Sequence, residues 1–142
     1  MRKILALGLL ALGLLALATG QSACGSAATL TSTIPGGPFV SVKPERQVPG
    51  GDPRLGPAAI RTYGCGSCHI IPGVPGARGK VGPPLTSMAE RAFIAGQLPN
   101  TPANLIRWIQ QPQAVEPGTA MPDLRVSEAD VRHIAAYLYT LE

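Results

Sequence analysis

Charge is scarce in this chain: only 14% of its 142 residues are Asp, Glu, Lys or Arg, and no cluster of Lys or Arg occurs. That excludes a nucleic-acid-binding tract, because phosphate recognition needs basic side chains gathered on one face. Aromatics are few as well, six in all, so a small domain built from this sequence has a meagre core of its own. Cysteine is limited to Cys24, Cys65 and Cys68, too few for a disulfide framework. The longest apolar run, Ile4 to Ala18, is short of the roughly twenty residues that span a bilayer.

That run follows Arg2-Lys3 and precedes small polar residues, the order of a secretory signal over residues 1–23, either cleaved or retained as an anchor. Losing Arg2 and Lys3 with it lowers the formal charge from +4 to +2, so the basic pI carries little weight. Cys24 comes directly after, in Gln21-Ser22-Ala23-Cys24-Gly25, which resembles a bacterial lipoprotein processing site with Cys24 as the lipidated residue. Ordinary cleavage nearby, leaving Cys24 as a passenger, is the alternative. Residues 24–51 are rich in Gly, Pro, Ser and Thr and read as a flexible linker that would place its ends about 25–30 Å apart.

The domain proper is read as residues 52–142, and it is arranged around Cys65-Gly66-Ser67-Cys68-His69. Two thiols three positions apart, followed by an imidazole, fit covalent attachment of one haem c with His69 beneath its iron. A zinc site needs about four Cys or His ligands in two pairs, and only Cys24 and His133 remain. A thioredoxin-type dithiol follows a strand, and no alternating run precedes Cys65. A buried porphyrin also supplies the apolar bulk that the missing aromatics do not.

The pattern around the motif is all-α. Asp52-Pro53 predicts the start of a helix to about Gly64, and Ile70 to Leu85, dense in Pro and Gly, predicts a loop. Ser87 and Glu90 suggest a capping box for a short helix through about Ile94. A further helix is expected from Thr101-Pro102 to Pro112, then an irregular stretch from Gln113 to Val126, then a final helix capped by Ser127. His133 lies off the apolar stripe of that last helix and reads as a solvated surface residue, while Met88 reads as core filler. Met121 stands in Pro117-Gly118-Thr119-Ala120-Met121-Pro122, where no periodicity asks for an apolar residue.

Taken in order, Cys65 to His69, Gly82-Pro83-Pro84-Leu85, Pro112, Pro117 to Met121 and Ala136-Tyr137-Leu138 resemble a class I monohaem cytochrome c. The resemblance implies a small fold of three main helices and a short one wrapped around a single covalently bound haem. It implies Cys65 and Cys68 as thioether carriers, and His69 and Met121 as iron ligands. By the same resemblance the Pro83 carbonyl accepts from His69, Thr119 and Arg91 bind propionates, and Trp108 packs beside Met121. The first and last helices should cross near the motif, with Gly56-Pro57 shifting the crossing by a residue. The implied role is that of an electron carrier in a respiratory or photosynthetic chain, not an enzyme, working with membrane redox complexes and no small-molecule substrate. The implied place is the periplasm or the outer face of the cytoplasmic membrane, with the N-terminal anchor or lipid on the membrane surface. A fixed subunit of an oxidase or dehydrogenase complex, or a haem enzyme or sensor with a displaceable Met121, are the alternatives.

Overall fold

A computed structural model describes residues 43–142; the signal, Cys24 and most of the linker lie outside them. Four helices and one two-stranded hairpin follow in chain order. They are α1 (Gly56–Thr62), β1 (Phe93–Ile94), β2 (Leu98–Pro99), α2 (Pro102–Gln110), α3 (Pro112–Val115) and α4 (Glu128–Leu138). Among the described residues no helix is long and apolar enough to cross a membrane.

The core lies where α1 and α4 cross. Ile60, Val131, Ile134, Ala135 and Leu138 are buried there, and each large aliphatic contributes roughly 1.5–3 kcal/mol on burial. The crossing is close because Gly56 faces α4 without a side chain. A Cβ at that position would collide with Tyr137 and come within 2.7 Å of the His133 carbonyl oxygen. Ser127 caps α4 by accepting from the Asp130 N–H, and its hydroxyl returns a hydrogen bond to the Asp130 carboxylate. Tyr63, at the end of α1, donates to the same carboxylate at 2.8 Å, so one acid ties the two helices together. Those hydrogen bonds from Ser127 and Tyr63 hold the Asp130 carboxyl below its ordinary value.

Several boundaries differ from the sequence reading. The first helix begins at Gly56, not Pro53, because the Asp52 carboxylate accepts from both the backbone and the guanidinium of Arg54. That local ring makes a turn of residues 53–55 instead of a helix cap. The capping box at Ser87 and Glu90 does not form. Ser87 sits at φ 51°, and only a 3-10 turn, Met88–Glu90, follows it. Phe93 and Ile94 then pair with Leu98 and Pro99 across a tight turn with Ala95 and Gly96 at φ 50° and 71°. Pro112 ends α2 but also opens α3, where a proline at the first position is tolerated for want of a partner for its nitrogen.

The end of the linker is docked. Val48 is buried, and Arg46 donates to the carbonyls of Ala89 and Arg91 while its guanidinium sits 5.5 Å from the centre of the Tyr139 ring. Arg132 donates to the Pro49 carbonyl, and Gly51 lies against α4. Behind this strap Asn100, 4% exposed, donates to the carbonyls of Met88 and Arg91 and accepts from the Tyr139 hydroxyl. Burial pushes Tyr139 up to about 12.

His133 is half-buried instead of solvated. Its Nδ1 accepts the Asp52 N–H at 2.9 Å, which fastens the chain before α1 to α4.

Candidate functional site

Gly64, at φ 69°, stops α1 and turns the chain into Cys65–Ser67, a single 3-10 turn. The His69 N–H then bonds back to the Cys65 carbonyl at 3.1 Å, so both thiols and the imidazole are presented by one compact reversal. Cys65 and Cys68 are unpaired. Burial pushes the Cys65 thiol up, away from the thiolate character that a thiol–disulfide exchanger needs.

The loop after the motif is rich in Pro and Gly yet folds back on the motif through its backbone. Gly79 donates to the Gly66 carbonyl, Gly82 to that of Cys68 and Leu85 to that of Ile70. Tyr137 of α4 donates to the Pro72 carbonyl at 2.6 Å and holds the far end of the loop. The result is a fixed bed for His69. Its Nδ1 lies 2.7 Å from the carbonyl oxygen of Pro83, and since a carbonyl can only accept, Nδ1 carries the proton. The lone pair then resides on Nε2, the nitrogen left free to bind a metal. The ring rests on Gly82, where a Cβ would lie 2.7 Å from Nδ1 and 2.9 Å from Nε2. Gly82 stands within the quoted Gly82-Pro83-Pro84-Leu85 piece, but its part as the floor under the imidazole depends on a contact across thirteen residues that spacing does not reveal.

One cleft gathers most of the remaining candidates. Cys65, His69, Arg91, Trp108 and Met121 line it, together with apolar side chains including Ile60, Leu85, Met88, Leu105 and Leu138. The cavity within it measures about 70 Å³ and opens to solvent at its mouth. Cys68 shares the turn of Cys65, and Pro83 is reached through His69. Thr119 does not line the cleft; its N–H donates to the Glu116 carbonyl and its own carbonyl accepts from Gln113. The Arg91 guanidinium donates to the carbonyls of Pro84 and Thr86, bracing the segment beside Pro83. Met88 is core, and it is wall of the cleft as well. His133 is elsewhere, on a shallow groove with Leu55, Ala58, Thr62 and Asp130.

These residues fit a haem c. The cleft is walled by aliphatics, two unpaired thiols stand together at the motif, an imidazole with Nδ1 turned to the Pro83 carbonyl offers Nε2, and a thioether is on the same cleft. The Arg91 guanidinium lies on the same cleft.

Comparison with known proteins agrees. The chain is 39% identical over 79 residues to a cytochrome c oxidase subunit 2 of Alkalihalophilus pseudofirmus, an alignment covering 55% of this chain and 22% of that protein's length. The family model for cytochrome c matches residues 54–142. With the model covering most of its length, the chain belongs to the cytochrome c family, whose cofactor is a covalently attached haem c with iron.

Proposed function

We propose that the chain is an electron carrier of a respiratory or photosynthetic chain, with His69 and Met121 as the two axial ligands. The observation that carries this reading is the presence of His69 and Met121 on one apolar cleft, the imidazole already held by Pro83 in the tautomer that leaves Nε2 free. The haem iron supplies the one-electron couple. His69 and Met121 would both hold the iron of a bound haem, which would leave no site for a substrate and favour transfer without bond making. Pro83, by accepting from Nδ1, fixes the ring and raises its basicity. The aliphatic walls exclude water, so little solvent must reorganise when charge changes. Donor and acceptor are membrane redox complexes, and the N-terminal segment tethers the domain at the periplasmic face, through its signal or through a lipid on Cys24.

The test is carbon monoxide added to the reduced, haem-loaded protein. A closed His/Met site binds it poorly and leaves the spectrum nearly unchanged, whereas ready binding would reveal an open position and favour a sensor or enzyme. A second reading, a fixed subunit of a membrane oxidase, is favoured by the likeness to an oxidase subunit 2. Co-purification with an integral membrane complex separates it from a mobile carrier.

A further inference from the structure

The geometry points to Gln113 as the positioning residue that holds the Met121 loop shut over the cleft. This rests on the reading of Met121 as distal ligand and adds what keeps it in place. The segment Glu116 to Pro122 has little regular structure to fix it. Within it Thr119 donates to the Glu116 carbonyl, and Glu116 donates to that of Pro112. Three further backbone groups are taken by one side chain projecting from α3. Gln113 Nε2 donates to the carbonyl oxygens of Thr119 at 2.7 Å and Met121 at 3.0 Å, and its Oε1 accepts the Gly118 N–H at 3.1 Å. A single amide thus uses both its donor hydrogens and its acceptor on three residues of the loop, Met121 among them. Gly118, at φ 85°, lets the chain turn tightly enough for one side chain to reach all three.

Gln113 is exposed, so removing it strands no buried polar group and leaves the rest of the fold nearly unaffected. What changes is how well Met121 is held beforehand. A thioether is a weak ligand, and its occupancy of the sixth position depends on the loop being ordered before it binds.

The experiment compares Gln113→Leu, Gln113→Glu and Gln97→Leu with the parent as haem-loaded proteins. Gln97 is an exposed control in the hairpin turn. Carbon monoxide affinity of the reduced form is expected to rise about 10-fold in Gln113→Leu, equal to ~1.4 kcal/mol of lost closure. Gln113→Glu should rise at least as far, because it keeps the acceptor for Gly118 but sets a carboxylate oxygen against two carbonyls. Amide exchange at Thr119 should quicken in both and at Gly118 in Gln113→Leu, with the midpoint of thermal unfolding little moved, and Gln97→Leu should match the parent. Unchanged carbon monoxide affinity and unchanged exchange in both Gln113 variants would overturn the role of Gln113. The ligand reading fails separately: if Met121→Ala keeps the methionine-to-iron charge-transfer band, both it and this inference fall.

Discussion

Protein carrying Cys65→Ser and Cys68→Ser, and so denied haem attachment, is expected to lose most of its cooperative thermal transition. The reason lies in the shared use of residues. Ile60, Met88, Leu105, Ile109, Ile134 and Leu138 are core residues, and each also lines the cleft. Unfilled space among aliphatics costs about 24 cal/mol per Å³. Every 100 Å³ left empty therefore costs about 2.4 kcal/mol, against a total stability of about 5–15 kcal/mol for an ordinary domain. Ile60, Ile134 and Leu138, which hold α1 against α4, are among the residues that lose a packing partner. Circular dichroism melts of the double variant and the haem-loaded parent would measure it. The expected result is a broad, low transition in the variant, and a sharp transition at the parent's temperature would show that the helices stand without the cofactor.

Gly82→Ala is the second change with a large expected effect, although it adds one methyl group. The new Cβ would lie 2.7 Å from His69 Nδ1 and 2.9 Å from Nε2, inside van der Waals contact. The backbone there cannot retreat easily, since the Gly82 N–H is bonded to the Cys68 carbonyl at 2.8 Å and the next residue carries the carbonyl that fixes the imidazole. Overpacking of this kind costs about 1–3 kcal/mol, and here the strain falls on His69, the imidazole we propose as an iron ligand. Lower yield of haem-loaded protein, a lowered unfolding midpoint and a changed reduction potential are expected together. Val81→Ala, at a neighbour that is 75% exposed, should change none of them. A Gly82→Ala protein with parental potential and stability would mean that the imidazole does not rest on this glycine.

The sequence was most legible where chemistry is contiguous or periodic. Cys65 to His69 is one unbroken run, and α2 and α4 each carry a capping residue, Thr101 and Ser127, ahead of an apolar stripe. It was least legible where one side chain outweighs a local pattern. Asp52 sits correctly for a helix cap, but its carboxylate is taken by Arg54 and the helix starts four residues later. Ser87 and Glu90 have capping-box spacing, but a left-handed backbone at Ser87 points the hydroxyl elsewhere. The composition of residues 43–51 resembles linker, and the segment is docked by Arg46 and Val48, single residues that no periodicity announces. Gln113 and Gly82 act through contacts formed only after the chain has folded back. His133 stands off the apolar stripe of α4, and its partial burial comes from Asp52, which arrives from outside the helix.

The central claim is that His69 and Met121 close the iron from both sides. The most direct measurement is the near-infrared methionine-to-iron charge-transfer band of the oxidised protein in Met121→Ala and His133→Ala, prepared in a host that attaches c-type haem. The account predicts that the band disappears in Met121→Ala and persists in His133→Ala. Persistence in Met121→Ala would contradict it.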